Sequence, residues 1–132
     1  MKGLGAHITK TLVMGSELTC ADNSGAKVIA IINTLGIKGK RGRYPRAGVG
    51  DVVIASVKKG KPDMVKKVVR ALIVRQKKEF RRSNGMRVAF EDNAAVLITD
   101  TFLPVATEIK GVVAKEIAER FPKVAAISAG IV

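Results

Sequence analysis

The chain has 132 residues, within the range of one domain of roughly 100 to 200 residues. With 47% hydrophobic residues it can bury a core, which excludes a disordered polar chain. Its 24 Lys and Arg against 11 Asp and Glu leave a net charge of +13, which predicts attraction to polyanions.

Cys20 is the only cysteine, so no internal disulfide can form and a reducing compartment is expected. The stretch Met1-Lys2-Gly3-Leu4-Gly5-Ala6 lacks the apolar core of a signal peptide. The longest uncharged run, Val28 to Ile37, is about half of what a membrane-spanning helix needs. A cytoplasmic protein with no membrane partner is therefore expected.

Short runs rich in Val and Ile alternate with turn residues, the pattern of strands. They predict strands over Glu17–Ala21, Lys27–Leu35, Asp51–Lys58, Val68–Gln76 and Ala94–Asp100. Several short strands in a small domain point to a closed barrel or a sandwich. Asp22-Asn23-Ser24-Gly25 reads as a tight turn in which Asp and Asn bond their own backbone. Lys61-Pro62-Asp63-Met64 reads as a turn or one helical turn. Between Phe80 and Phe90, Asn84-Gly85 marks a hairpin, because both residues tolerate positive φ. Val113, Ile117 and Phe121 recur at i, i+4 and i+8, predicting an amphipathic helix over Val112–Phe121 that Pro122 ends. The apolar stretch Val124–Val132 is expected to pack back as a helical turn and tail. The reading is one domain over 1–132, mainly β, with a barrel to about residue 105 and short helices from about 106.

The charge is not spread evenly. Between Gly36 and Val88 lie 17 bases and three acids, a local charge of +14, while the remaining residues hold seven bases and eight acids. A face kept basic for solubility would mix the signs; clustering is the footprint of nucleic-acid binding. Lys38, Lys40, Arg41, Arg43 and Arg46 alternate with glycines, so backbone can approach a phosphate chain while the bases neutralise it. Arg75, Lys77, Lys78, Arg81, Arg82 and Arg87 flank the hairpin and are expected to project from a β-ribbon. Lys58, Lys59 and Lys61 complete the expected RNA-binding set.

Aromatic residues are only 4% of the chain, with no Trp, and Tyr44 is the one aromatic inside a basic loop. Single-strand binders stack bases on exposed aromatics. Their scarcity points instead to recognition of folded RNA by backbone and shape. Phe80 and Phe90 fit the core or a cross-strand pair better than a stacking platform.

Catalytic constellations do not assemble. One His, His7, and one Cys, Cys20, cannot build a zinc site of such ligands. Glu91 and Asp92 are adjacent, and neighbours in an extended chain point to opposite sides. Gly39-Lys40 and Gly60-Lys61 have no glycine five residues earlier, so there is no Walker A loop. Neither enzymatic activity nor a metal or cofactor is expected.

Ala71-Leu72-Ile73-Val74, then Asn84-Gly85, then Phe90, Asn93, Val96 and Leu97 resemble the signature of the L-fourteen family of large-subunit ribosomal proteins. Cys20 to Ala26, Ala47 to Asp51, and Val57 to Pro62 resemble further blocks of that family. Phe90-Glu91-Asp92-Asn93-Ala94 and the Lys110-Gly111…Ala114-Lys115-Glu116 ending are similar to its archaeal and eukaryotic members, and the short N-terminus to the archaeal ones. The resemblance runs over nearly the whole chain. It implies a five-stranded OB-like β-barrel, a β-ribbon and short C-terminal helices. It implies a structural constituent of the large subunit that binds large-subunit ribosomal RNA, adjoins other large-subunit proteins, and meets small-subunit RNA at an intersubunit bridge. The mixed-sign face of the last helix, with Lys115, Glu116, Glu119 and Arg120, is expected to contact a protein neighbour. The alternative is a free-standing OB-type RNA-binding translation factor.

Overall fold

The computed structural model describes residues 6–36 and 43–132. In chain order the elements are β1 (Ala6–His7), β2 (Leu12–Val13), β3 (Glu17–Cys20), β4 (Ala26–Thr34), β5 (Arg46–Ala47), β6 (Val52–Gly60) and β7 (Val68–Arg75). There follow β8 (Phe80–Arg82), β9 (Arg87–Val88), β10 (Ala94–Ile98), β11 (Ile109–Val113), α1 (Lys115–Arg120), α2 (Pro122–Ala126) and β12 (Ser128–Ile131). The five strands expected from the Val and Ile runs form the closed barrel, in the order β10-β3-β4-β6-β7. All neighbours are antiparallel except β10 and β3, whose parallel pairing shuts the barrel. Closure leaves these strands without a free edge.

Burial explains which residues the barrel needs. Every side chain of β10 is buried, as are Ala71 to Val74 of β7, which reads as a continuous apolar run covered on both faces. β3 instead alternates exposed and buried, with Leu18 and Cys20 inward. Leu18, Ile29, Val53, Val57, Leu72, Ile73 and Leu97 fill the interior, and Phe80, Ile109, Val113, Ile117 and Val124 join the same cluster from outside the barrel.

The turn at residues 22–25 ties the barrel shut, and it follows the expected pattern at Asp22 but not at Asn23. Oδ1 of Asp22 accepts from the backbone N and the hydroxyl of Ser24, at 3.2 and 2.6 Å. Its Oδ2 accepts from the backbone N of Leu97 at 2.9 Å, across the β3–β10 seam. Asn23 does not bond its own turn; its Oδ1 accepts from the backbone N of Thr107 and Glu108. Gly25 and Gly60 pass close together: a Cβ at Gly60 would lie 2.5 Å from the Gly25 carbonyl oxygen, so only glycine fits there.

The hairpin is present as β8 and β9, and β1 adds a third strand to it. Of its two turn residues only Gly85 takes a positive φ, 86°, while Asn84 caps the turn by accepting from the backbone N of Met86. Phe80 is fully buried and faces Val88, and Phe90 is half-buried against the core.

The C-terminal quarter differs from the expected single helix. Ile109–Val113 is a strand that pairs in parallel with Ser128–Ile131, and α1 and α2 form the connection between them. Val113 and Ile117 are buried, as their spacing predicts, although Val113 reaches the core from the strand. Pro122 ends α1 and opens α2, because the residue before a proline avoids helical backbone: Phe121 sits at φ −132°, ψ 71°.

Candidate nucleic-acid interface

The barrel divides the basic segment into two groups. Lys58 and Lys59 stand exposed near the end of β6, and Lys61, Lys66 and Lys67 follow in the exposed turn before β7. Arg46 lies beside the other end of that strand and lines one cleft with Val49 and Asp51. Lys77 and Lys78, which follow β7, lie at the same end, and Arg43 is exposed three residues before Arg46. Nine residues of β6 separate the two ends by about 26 Å at a strand's rise of about 3.3 Å per residue. The run that is continuous in sequence is therefore two patches in space. Lys38, Lys40 and Arg41 lie outside the described residues.

On the hairpin, alternation sorts the arginines. Arg81 of β8 is directly opposite Arg87 of β9 and directly opposite His7 of β1. Residues paired across a ladder project from the same face, so two guanidinium groups share one side of the ribbon with an imidazole. Neither arginine is ion-paired among the described residues. Like charges opposite one another cost stability unless a counter-charge lies over them.

Arg75 and Arg82, expected at the RNA, are instead held within the chain. Arg75 places Nε 3.0 Å from Oδ1 of Asp92 and donates from Nη2 to Oδ2 at 3.2 Å. Its Nη1 donates to the carbonyls of Lys110 and Val112, which bridges β7 to β11. This works because residue 111 is Gly: with φ 81° and no Cβ, it leaves room for the guanidinium. Arg82 donates from Nε to Oε1 of Glu116 at 2.8 Å and from Nη2 to the Val132 carbonyl at 2.7 Å. Glu116 is 3% exposed. It is therefore not part of the outward face of α1, which retains Lys115, Glu119 and Arg120.

Two side chains organise the end of the barrel that carries Arg46, and charge counting could not show them. Gln76 is fully buried; its Oε1 accepts from the backbone N of Val49 at 2.9 Å, and its Nε2 donates to the carbonyls of Thr9 and Lys78. One amide thereby pins the N-terminal segment, the loop after β5 and the loop before β8, and leaves none of its own polar atoms stranded. Asp51 does similar work with Oδ2, accepting from Lys10 Nζ at 2.5 Å and from the backbone N of Gly48 at 2.9 Å.

Cys20 is buried, and burial pushes its thiol up to about 12, helped by the negative charge of Asp22. A neutral thiol is a poor nucleophile. Among the described residues no group of three or more His, Cys, Asp or Glu could hold a metal. No helix of the described residues is long and apolar enough to cross a membrane.

A barrel with two cationic ends and a ribbon of opposed arginines has the shape and charge to lie against a folded polyanion. The profile of the ribosomal protein L14p/L23e family matches residues 11–132. The chain belongs to the ribosomal protein L14p/L23e family. It is 52% identical to the large ribosomal subunit protein uL14 of Methanocorpusculum labreanum, with both chains covered in full. It is 51% identical to the uL14 of Halorubrum lacusprofundi and 49% to that of Methanoregula boonei, again over the full length of each. These L14 relatives are archaeal, in keeping with the resemblance of the Phe90–Ala94 block.

Proposed function

We propose that this member of the L14 family is a structural constituent of the large ribosomal subunit and holds large-subunit ribosomal RNA through phosphate contacts. Its role is non-enzymatic. The observation that carries the reading is the juxtaposition of Arg81 and Arg87 on one face of the ribbon, with neither ion-paired among the described residues. Such a face is completed by an external polyanion, and Arg meets phosphate with two parallel hydrogen bonds. Arg43, Arg46, Lys77 and Lys78 extend this patch, and Lys58, Lys59 and Lys61 form the second.

Two basic ends about 26 Å apart suit contacts with two separate RNA segments. We assign one to large-subunit RNA and the other to small-subunit RNA at a bridge, as the family resemblance implies. The outward side of α1, with Lys115 and Glu119, is assigned to a neighbouring large-subunit protein, while Arg120 at the end of the helix turns to the cleft beside Gly50.

Binding of the full chain to a large-subunit RNA fragment, measured across salt, tests the reading. Neutralising roughly 5 to 8 phosphates predicts an affinity that falls steeply with salt, through release of counterions. An affinity that hardly changes between low and physiological salt would reject it. A stable constituent also remains with large subunits sedimented in high salt, whereas a visiting factor washes off.

A further inference from the structure

Tyr44, the aromatic set inside the basic loop, is 79% exposed, the most exposed large hydrophobic side chain among the described residues. It lines a cleft of about 830 Å³ between the N-terminal segment, the loop around β5 and the end of α1. That volume lies within the range that holds a small organic ligand. Ile8 and Val49 supply apolar lining, and Arg46 and Arg120 supply charge. Lys10 also lines the cleft but is held by Asp51, the one carboxylate there among the described residues. Arg46 and Arg120 are exposed and make no ion pair among the described residues. Arg120 lies outside the basic segment of the sequence; the fold carries it beside Gly50, whose added Cβ would stand 3.4 Å from its Nη1.

We infer that this cleft takes one unpaired nucleotide of ribosomal RNA, with its base against Tyr44 and its phosphate between Arg46 and Arg120. The inference rests on the RNA-binding reading above and adds a stacking site to it. A flat aromatic ring gives a base a stacking partner, and two guanidinium groups lining the same cleft give the phosphate its counter-charge. A continuous duplex presents no free base, so the cleft distinguishes a bulged or looped strand from a paired one. An acidic protein segment would satisfy the two arginines but leave the tyrosine and the apolar lining unused.

Tyr44 is the only tyrosine and the chain has no tryptophan, so its fluorescence reports on this cleft alone. Two RNA hairpins differing by one bulged nucleotide, free adenosine monophosphate and a poly-glutamate peptide are titrated into the full chain. The bulged RNA is expected to quench Tyr44 and to bind roughly tenfold more tightly than the paired one. Tyr44→Ala and Arg120→Ala should each abolish that preference without weakening duplex binding, while Tyr44→Phe keeps it. Quenching by the free nucleotide as strong as by the bulged RNA would overturn the RNA-strand assignment. Quenching by the peptide, equal affinity for both hairpins, or no change in emission would overturn the cleft's role. If the arginine-dependent duplex binding persists in those cases, the parent reading stands; if neither RNA binds, both fall.

Discussion

Arg82 and Glu116, 34 residues apart, meet in a two-point ion pair: Nε to Oε1 at 2.8 Å and Nη2 to Oε2 at 3.3 Å. The pair ties strand β8 of the ribbon to the first turn of α1. Because Arg82 also donates to the Val132 carbonyl, the C-terminus closes over the same point. The guanidinium lies 5.7 Å from the Phe80 ring centroid, so the charge is also flanked by an aromatic face. An arginine that sequence position assigns to RNA thus anchors the C-terminal region.

Removing it should strand a buried carboxylate. Arg82→Ala is expected to destabilise the fold by about 3 kcal/mol, in the range for breaking a buried pair by deleting one partner. The double variant Arg82→Ala with Glu116→Leu should recover much of the loss, since no charge is then left unpaired. Urea unfolding of the single and double variants decides this, and a cost no larger than that of Arg81→Ala would contradict the anchoring role.

The neighbouring pair should behave in the opposite way. Arg81→Ala with Arg87→Ala relieves repulsion between opposed like charges, so the melting temperature should hold or rise slightly. Affinity for a large-subunit RNA fragment should drop, and the slope of log affinity against log salt should fall by about 2, one for each phosphate left without its arginine. Unchanged affinity with a lower melting temperature would mark these arginines as structural.

On α1 the exposed residue to change is Glu119, since Glu116 is committed to Arg82. Glu119→Lys is expected to impair incorporation into large subunits while leaving isolated RNA binding equal or slightly stronger. Normal incorporation, or weaker RNA binding, would remove the protein-facing assignment from this side of the helix.

Cys20 predicts a pH dependence with a definite sign. Its folded value, about 12, lies above the ordinary 9.0, so between these the folded chain keeps a proton that the unfolded chain has lost. The contribution is fully present below pH 9 and disappears as pH rises toward 12. Between about pH 9 and pH 10.5 the unfolded chain gains stability by releasing this proton, so the sign is a loss for the fold. Urea midpoints should therefore fall further over that range for the native chain than for Cys20→Ala. The folded thiol should also resist a disulfide reagent at about pH 8 and react once the chain is unfolded. Equal pH sensitivity of the two proteins, or rapid reaction when folded, would refute it.

The Val and Ile runs by themselves determined the five barrel strands, and the Asn84-Gly85 turn signal the hairpin. Each Val and Ile run carries its own burial pattern, and period-two alternation or continuous burial shows within a few residues. Helical spacing singled out Val113 and Ile117 as core. The family signature set the resemblance, and charge counting located the cationic middle of the chain.

Only the tertiary structure decided how that charge is used. Lys61 and Lys77 share one basic segment yet sit at opposite ends of the barrel, because β7 runs its full length between them. Arg81 and Arg82 are adjacent in sequence, but strand alternation sends one outward and the other to Glu116. The pairing of β11 with β12 joins residues about 19 apart, as from Ile109 to Ser128, across two short helices that close the loop. A helical spacing can be read from a handful of neighbouring residues. A partner strand, a buried glutamine or an arginine brought into one cleft with a distant tyrosine exists only after the chain has closed on itself.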